Sequence, residues 1–134
     1  VVIRVGDAFC IFDPEITSFL TRIAKQLAKN EPQFKYQRQI LDGGICEASL
    51  LYTFGYPTSG LAVPLGCYHN HGKDGRLSAE NIHLHDWYNM IELLWAAITG
   101  TERLIAWQQS GQASFINKFS KYRHRVVSSD NAGR

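Results

Sequence analysis

The segment Tyr68-His69-Asn70-His71 carries the side chains best suited to bind a metal or move a proton. Neutral imidazole is the commonest zinc ligand, and a histidine on a loop at a strand end reaches a cleft more readily than one in a packed helix. His69 and His71 point to opposite sides of an extended segment, so at most one of them faces a given metal. A hydrogen-bonded surface histidine is the competing reading. His83-Leu84-His85 repeats the spacing and raises a four-histidine site, but it stands immediately before Asp86, where a helix is expected to begin. That spacing matches no zinc module.

A second candidate is Gly43-Gly44, placed between an expected strand and an expected helix. Paired glycines let a ligand approach the backbone closely and present N–H groups to a carboxylate, phosphate or oxyanion. A tight turn that needs positive φ explains the same residues without a ligand. Glu47 follows in the first helical turn, where it either complements the helix dipole or meets a substrate ammonium. Cys46 and Cys67 suggest Cys/His hydrolysis, since a thiol at a helix N-terminus is acidified. No third group orients that pair, and buried structural cysteines are the alternative.

These residues need elements to hold them. Val1 to Val5 is a β-branched run, and Asp13-Pro14-Glu15 then supplies an N-cap, a first-turn proline and an acid at the positive helix end. Ile16, Phe19, Leu20, Ile23, Ala24 and Leu27 recur on one helical face until Asn30-Glu31-Pro32. Phe34 to Leu41 alternates as a strand with one exposed side, ended by Asp42-Gly43-Gly44. Ile45 to Phe54 has helical period and a Gly55-Tyr56-Pro57 stop. Leu61 to Leu65 reads as a short buried strand, and Gly66 to Glu80 as a loop of a length that is usually functional or disordered. Asp86 is expected to cap a helix whose Trp87, Met90, Ile91, Leu94, Trp95 and Ile98 form an apolar stripe ended by Gly100. The order predicts an α/β fold, a mixed or mostly parallel sheet covered by helices, with ligand sites at strand ends.

Composition sets the outer bounds. The chain has 134 residues, 45% hydrophobic and 19% charged, the profile of one folded α/β domain rather than a disordered or fibrous chain. Its longest apolar stretches, such as Leu93 to Ile98, fall far short of the roughly 20 residues that cross a bilayer. Val1-Val2-Ile3-Arg4-Val5 opens like the middle of a strand, so the natural start is expected upstream. Cys10, Cys46 and Cys67 are odd in number and embedded in apolar segments, which favours reduced thiols and a cytoplasmic setting. The formal charge of +2 hides a basic C-terminal extension with Lys118, Lys121, Arg123, Arg125 and Arg134. That extension, residues 101 to 134, is expected to be a solvated terminus, partly helical or disordered, and no nucleic-acid partner is expected because it lacks interleaved aromatics on a defined face.

Taken together, DGGICEA (Asp42 to Ala48), FGYPTSGLAVPLGCYHN (Phe54 to Asn70) and AENIHLHDWYNMIELL (Ala79 to Leu94) resemble the C-terminal part of the catalytic domain in the di-zinc exopeptidase superfamily. The resemblance covers residues 1 to 100 and rests on several elements in order rather than on any one. It implies an aminopeptidase-like zinc metallopeptidase that hydrolyses a peptide or amide bond through a metal-activated water, with a peptide as substrate. His69 takes the place of the family's last metal ligand. Gly43, Gly44, Glu47 and Tyr68 would border the substrate.

The family's other ligands and its general-base glutamate have no counterpart in this sequence and are expected upstream. Two zinc ions are expected in the complete enzyme, whereas this chain alone is expected to be inactive. The alternative is a non-catalytic α/β interaction domain that keeps the fold and binds no metal. Self-association into a homo-oligomer is left open.

Overall fold

The computed structural model describes the backbone of residues 1–130 and side chains through residue 125. It is a mixed α/β structure that divides into two units, Val1–Ile98 and a second from Thr99 onward. The order in the first unit is β1 (Val2–Asp7), α1 (Pro14–Asn30), β2 (Gln37–Leu41), α2 (Glu47–Thr53), β3 (Gly60–Ala62), β4 (Leu65–Gly66), β5 (Asn81–Ile82) and α3 (Leu84–Thr99). The second unit is the helix α4 (Thr101–Asp130), so the basic extension is helical to Asp130; Arg134 lies outside the described residues.

Central strand β1 pairs parallel with β2 and antiparallel with β3, giving the order β2-β1-β3. A parallel pair requires a crossover, and α1 supplies it by packing on β1. Asp13 accepts from the Ile16 N–H at 2.8 Å, and Pro14 opens the helix where no intrahelical donor is needed. Such a cap is worth about 1 kcal/mol. Phe19, Leu20, Ile23 and Ala24 are buried, as are Ile3, Phe12 and Phe34.

The expected strand from Leu61 to Leu65 is broken in two. Pro64 has no N–H for a ladder, so β3 ends at Ala62 and β4 begins at Leu65 in a separate two-stranded sheet with β5. Neither piece is fully buried, and Leu65 is exposed. The loop between β4 and β5 is ordered by short 3-10 turns at Tyr68–Asn70 and Lys73–Gly75. A His71 to Leu77 bridge and a bond from the Ser78 N–H to the Asn70 carbonyl tie its sides together.

Helix α3 departs further from expectation. It begins at Leu84, two residues before Asp86, whose carboxylate is bound to the Val1 ammonium at 3.2 Å rather than to a helix N–H. Its buried line is Asn89, Leu93 and Ala97, whereas Trp87, Ile91, Leu94, Trp95 and Ile98 are exposed within the described structure. Asn89 donates to the Lys35 carbonyl, which anchors that line beside the segment entering β2.

Candidate functional site: the concavity at the β1 and β2 ends

Because β1 and β2 are parallel, their C-terminal ends meet at one sheet edge, with Asp7 opposite Leu41 in register. Ligand sites favour this position in α/β sheets. Gly6 makes the edge by close approach: a Cβ there would lie 2.7 Å from the Cys10 carbonyl oxygen, so the chain after β1 can fold back only over a glycine.

Asp7 is buried and ties the edge together. Its Oδ1 accepts from the Phe9 and Cys10 N–H groups, and its Oδ2 accepts from the Cys46 N–H at 2.9 Å and the Ser49 hydroxyl at 2.6 Å. The Ser49 hydrogen bond holds the Asp7 carboxyl far below its ordinary range against the opposing effect of burial, and the three backbone donors reinforce it. An ionised carboxylate therefore fills the start of α2. This is why α2 begins at Glu47 rather than Ile45, with Cys46 extended and its N–H committed to Asp7. Sequence reading missed Asp7. The available signal was an acid closing a β-branched run, at the level where the parallel neighbour reaches Gly43-Gly44.

A concavity of about 690 Å³ opens on the sheet face that carries Val2 and Arg4. Gln37, the run Gln39 to Cys46, the stretch Ala62 to Leu65, and Tyr68 complete its lining. Three of the expected substrate-contacting residues, Gly43, Gly44 and Tyr68, thus share one surface. Neither glycine has positive φ, and a Cβ on either would meet nothing within 4 Å. The pair lies in a turn, but positive φ does not account for its glycines. Gly44 contributes its carbonyl to the Ala8 N–H at 3.2 Å, while the N–H groups of Gly43 and Ile45 make no hydrogen bond of ordinary geometry among the described residues.

His69 and Glu47 stand elsewhere. Glu47 is exposed at the first position of α2 and does not line the concavity. His69 is exposed beside it in sequence to Tyr68, whose ring it meets edge-on with centroids 4.1 Å apart, and it too is outside the lining. Its N–H donates to Glu80 at 2.8 Å. Cys67, His69 and Asn70 all have φ between 55° and 59°, a left-handed run that costs a non-glycine chain about 1 kcal/mol or more per residue. Strain of this kind concentrates at sites and switches.

The other histidines form no shared centre. His83 and His85 lie with ring centroids 5.4 Å apart, and the His85 N–H donates to His83 Nδ1. Among the described residues no three His, Cys, Asp or Glu side chains are grouped as a metal ion would need. A zinc site takes three or four protein ligands, so these residues do not by themselves fit one, and His69 offers a single donor. All three cysteines are free; Cys46 lines the concavity, and Cys10 Sγ lies 3.4 Å from the Ser49 hydroxyl.

Arg4, also missed from sequence, forms part of the concavity wall. Its Nε is buried without a hydrogen-bond partner, and its guanidinium lies 5.9 Å from the centroid of the Phe12 ring. A buried donor left unpaired costs about 1–3 kcal/mol.

Comparison of the chain with protein-family models, curated proteins and solved structures gives no match. Among the described residues no helix is long and apolar enough to cross a membrane.

Proposed function

We propose that this chain forms the substrate-binding part of a peptide or amide hydrolase of the di-zinc exopeptidase type, which removes an N-terminal residue. The observation that carries the reading is the bare Gly43-Gly44 turn on the wall of a concavity that Tyr68 also lines. Neither backbone conformation nor crowding within the chain requires glycine at these positions. Their use is accounted for by an extended peptide that must lie close to the backbone and find donors there.

In this reading Tyr68 covers the bound peptide and His69 serves as one metal ligand. The remaining ligands and the general-base glutamate come from outside this chain. Zinc supplies a water of lowered pKa when its ligand set is complete; the residues described bind and orient the substrate. The finer fold assignment, the C-terminal part of a zinc exopeptidase catalytic domain, belongs to the same proposal. It is supported by the parallel β1 and β2 ends meeting the turn before α2. A cytoplasmic setting is supported by the free cysteines.

The complete protein, incubated with a panel of aminoacyl p-nitroanilides, tests the reading. Chelator-sensitive release of p-nitroaniline is expected, reduced at least about tenfold by Gly44→Val at unchanged thermal midpoint, roughly 1.4 kcal/mol in transition-state binding. Absence of release from every substrate would favour a non-catalytic interaction domain. Hydrolysis stopped by thiol alkylation and untouched by chelation would point instead to Cys/His chemistry.

A further inference from the structure

We infer that Arg4 makes the concavity a receptor for a carboxylate, so that the bound peptide carries an acidic side chain there. Arg4 is partly buried on the central strand and lines the concavity, yet no acidic residue pairs with it among the described residues. Its stem is held in place. Gly60, opposite it in β3, leaves room for that stem, since a Cβ there would lie 3.3 Å from Arg4 Cβ, and the Phe12 ring stands beside the guanidinium. The ring attracts the cation but cannot accept hydrogen bonds from its several N–H groups in the plane of the guanidinium. A planar carboxylate matches that fork, whereas a neutral amide answers it only in part.

The neighbours set the selectivity. Gln39 is opposite Arg4 in register, and Gln37 also lines the concavity; both are neutral and able to donate to a carboxylate. Asp42 is the acid in the lining, exposed at the end of β2. Its charge disfavours a dianion such as phosphate more than a single carboxylate and leaves a place for a substrate cation.

The inference rests on the peptide-binding reading for the identity of its ligand, but binding is measured without turnover, so the two fail separately. Calorimetric titration of the complete protein with the α-N-methylamides of N-acetyl-aspartate and N-acetyl-asparagine, which differ by one carboxylate, is the test. Wild type should bind the aspartate compound at least tenfold more tightly. Arg4→Gln should erase that preference, and so should Gln39→Glu, which places a carboxylate beside Arg4 within the sheet and leaves the fold intact by pairing with it. If Arg4→Gln fails to fold, Gln39→Glu carries the test alone. Equal affinity for the two compounds, no binding of the aspartate compound, or an undiminished preference in Gln39→Glu would overturn the assignment, whether or not the protein hydrolyses peptides.

Discussion

Asp7 and Ser49, separated by 42 residues in sequence, are joined at 2.6 Å, and through this bond the end of the central strand fixes the start of α2. The carboxylate oxygen that takes the Ser49 hydroxyl also takes the Cys46 N–H, so one atom orients both the turn and the helix after it.

Replacing Asp7 with Asn turns one of the two acceptor atoms into a donor, which leaves either the Cys46 and Ser49 donors or the Phe9 and Cys10 donors facing an N–H group. Asp7→Asn should lower the thermal midpoint clearly more than Asp42→Asn, an exposed change expected to stay within about 0.5 kcal/mol. The sign with pH follows from the depressed carboxyl. Below the ordinary value of 3.8 the unfolded chain binds the proton first, so stability falls as pH drops from about 4 toward the folded value. Acid denaturation curves should show this loss in wild type and a shallower one in Asp7→Asn.

Glu92 should behave in the opposite sense. Burial raises its carboxyl, and the neighbouring Glu31 adds to the rise through its charge and a hydrogen bond. The folded state binds this proton more tightly than the unfolded one, so its stabilising contribution is present below the ordinary value of 4.5 and lost as pH rises through the folded value. Glu92→Gln should therefore raise the thermal midpoint slightly at pH 7 and change it little at pH 4.

Two glycine-to-alanine substitutions should separate cleanly. Gly6→Ala forces a methyl against the Cys10 carbonyl oxygen at 2.7 Å and should cost about 1–3 kcal/mol. Gly43→Ala meets nothing within 4 Å and has no left-handed φ to oppose it, so it should be neutral or stabilise by up to about 1 kcal/mol through the unfolded chain. Urea denaturation of both variants measures the difference.

His69→Gly relieves a left-handed residue at φ 56° while keeping the backbone donor to Glu80. Stability should hold or rise by up to about 1 kcal/mol. Hydrolysis by the complete protein should nonetheless fall by at least about tenfold, because the proposed ligand is gone. Activity equal to wild type would remove His69 from the proposal.

Legibility in the sequence followed how local each signal was. Asp13, Pro14 and Gly55 announce helix boundaries through their own conformations, and the structure places helix ends beside them, with Gly55 at φ 84°. Asp7 and Arg4 gave little sign because their environment is assembled from β2, α2, β3 and the segment around Phe12. Pro64 was in plain view and should have split the Leu61 to Leu65 strand. Helix α3 failed for a different reason. Its period marks the wide stripe of Trp87, Ile91, Leu94, Trp95 and Ile98, yet that stripe is exposed among the described residues, and the line that packs pairs Leu93 with the smaller Asn89 and Ala97.

The turn before α2 also sets two exchange regimes on adjacent amides. The N–H of Cys46 is held by a buried carboxylate, so its proton is released to solvent only when β1 and α2 part. Gly43 and Ile45, three residues and one residue earlier, are exposed and hold no such bond among the described residues. Their protons exchange on the time scale of an open chain even while the fold stays closed, and the boundary between slow and fast protons falls between Ile45 and Cys46.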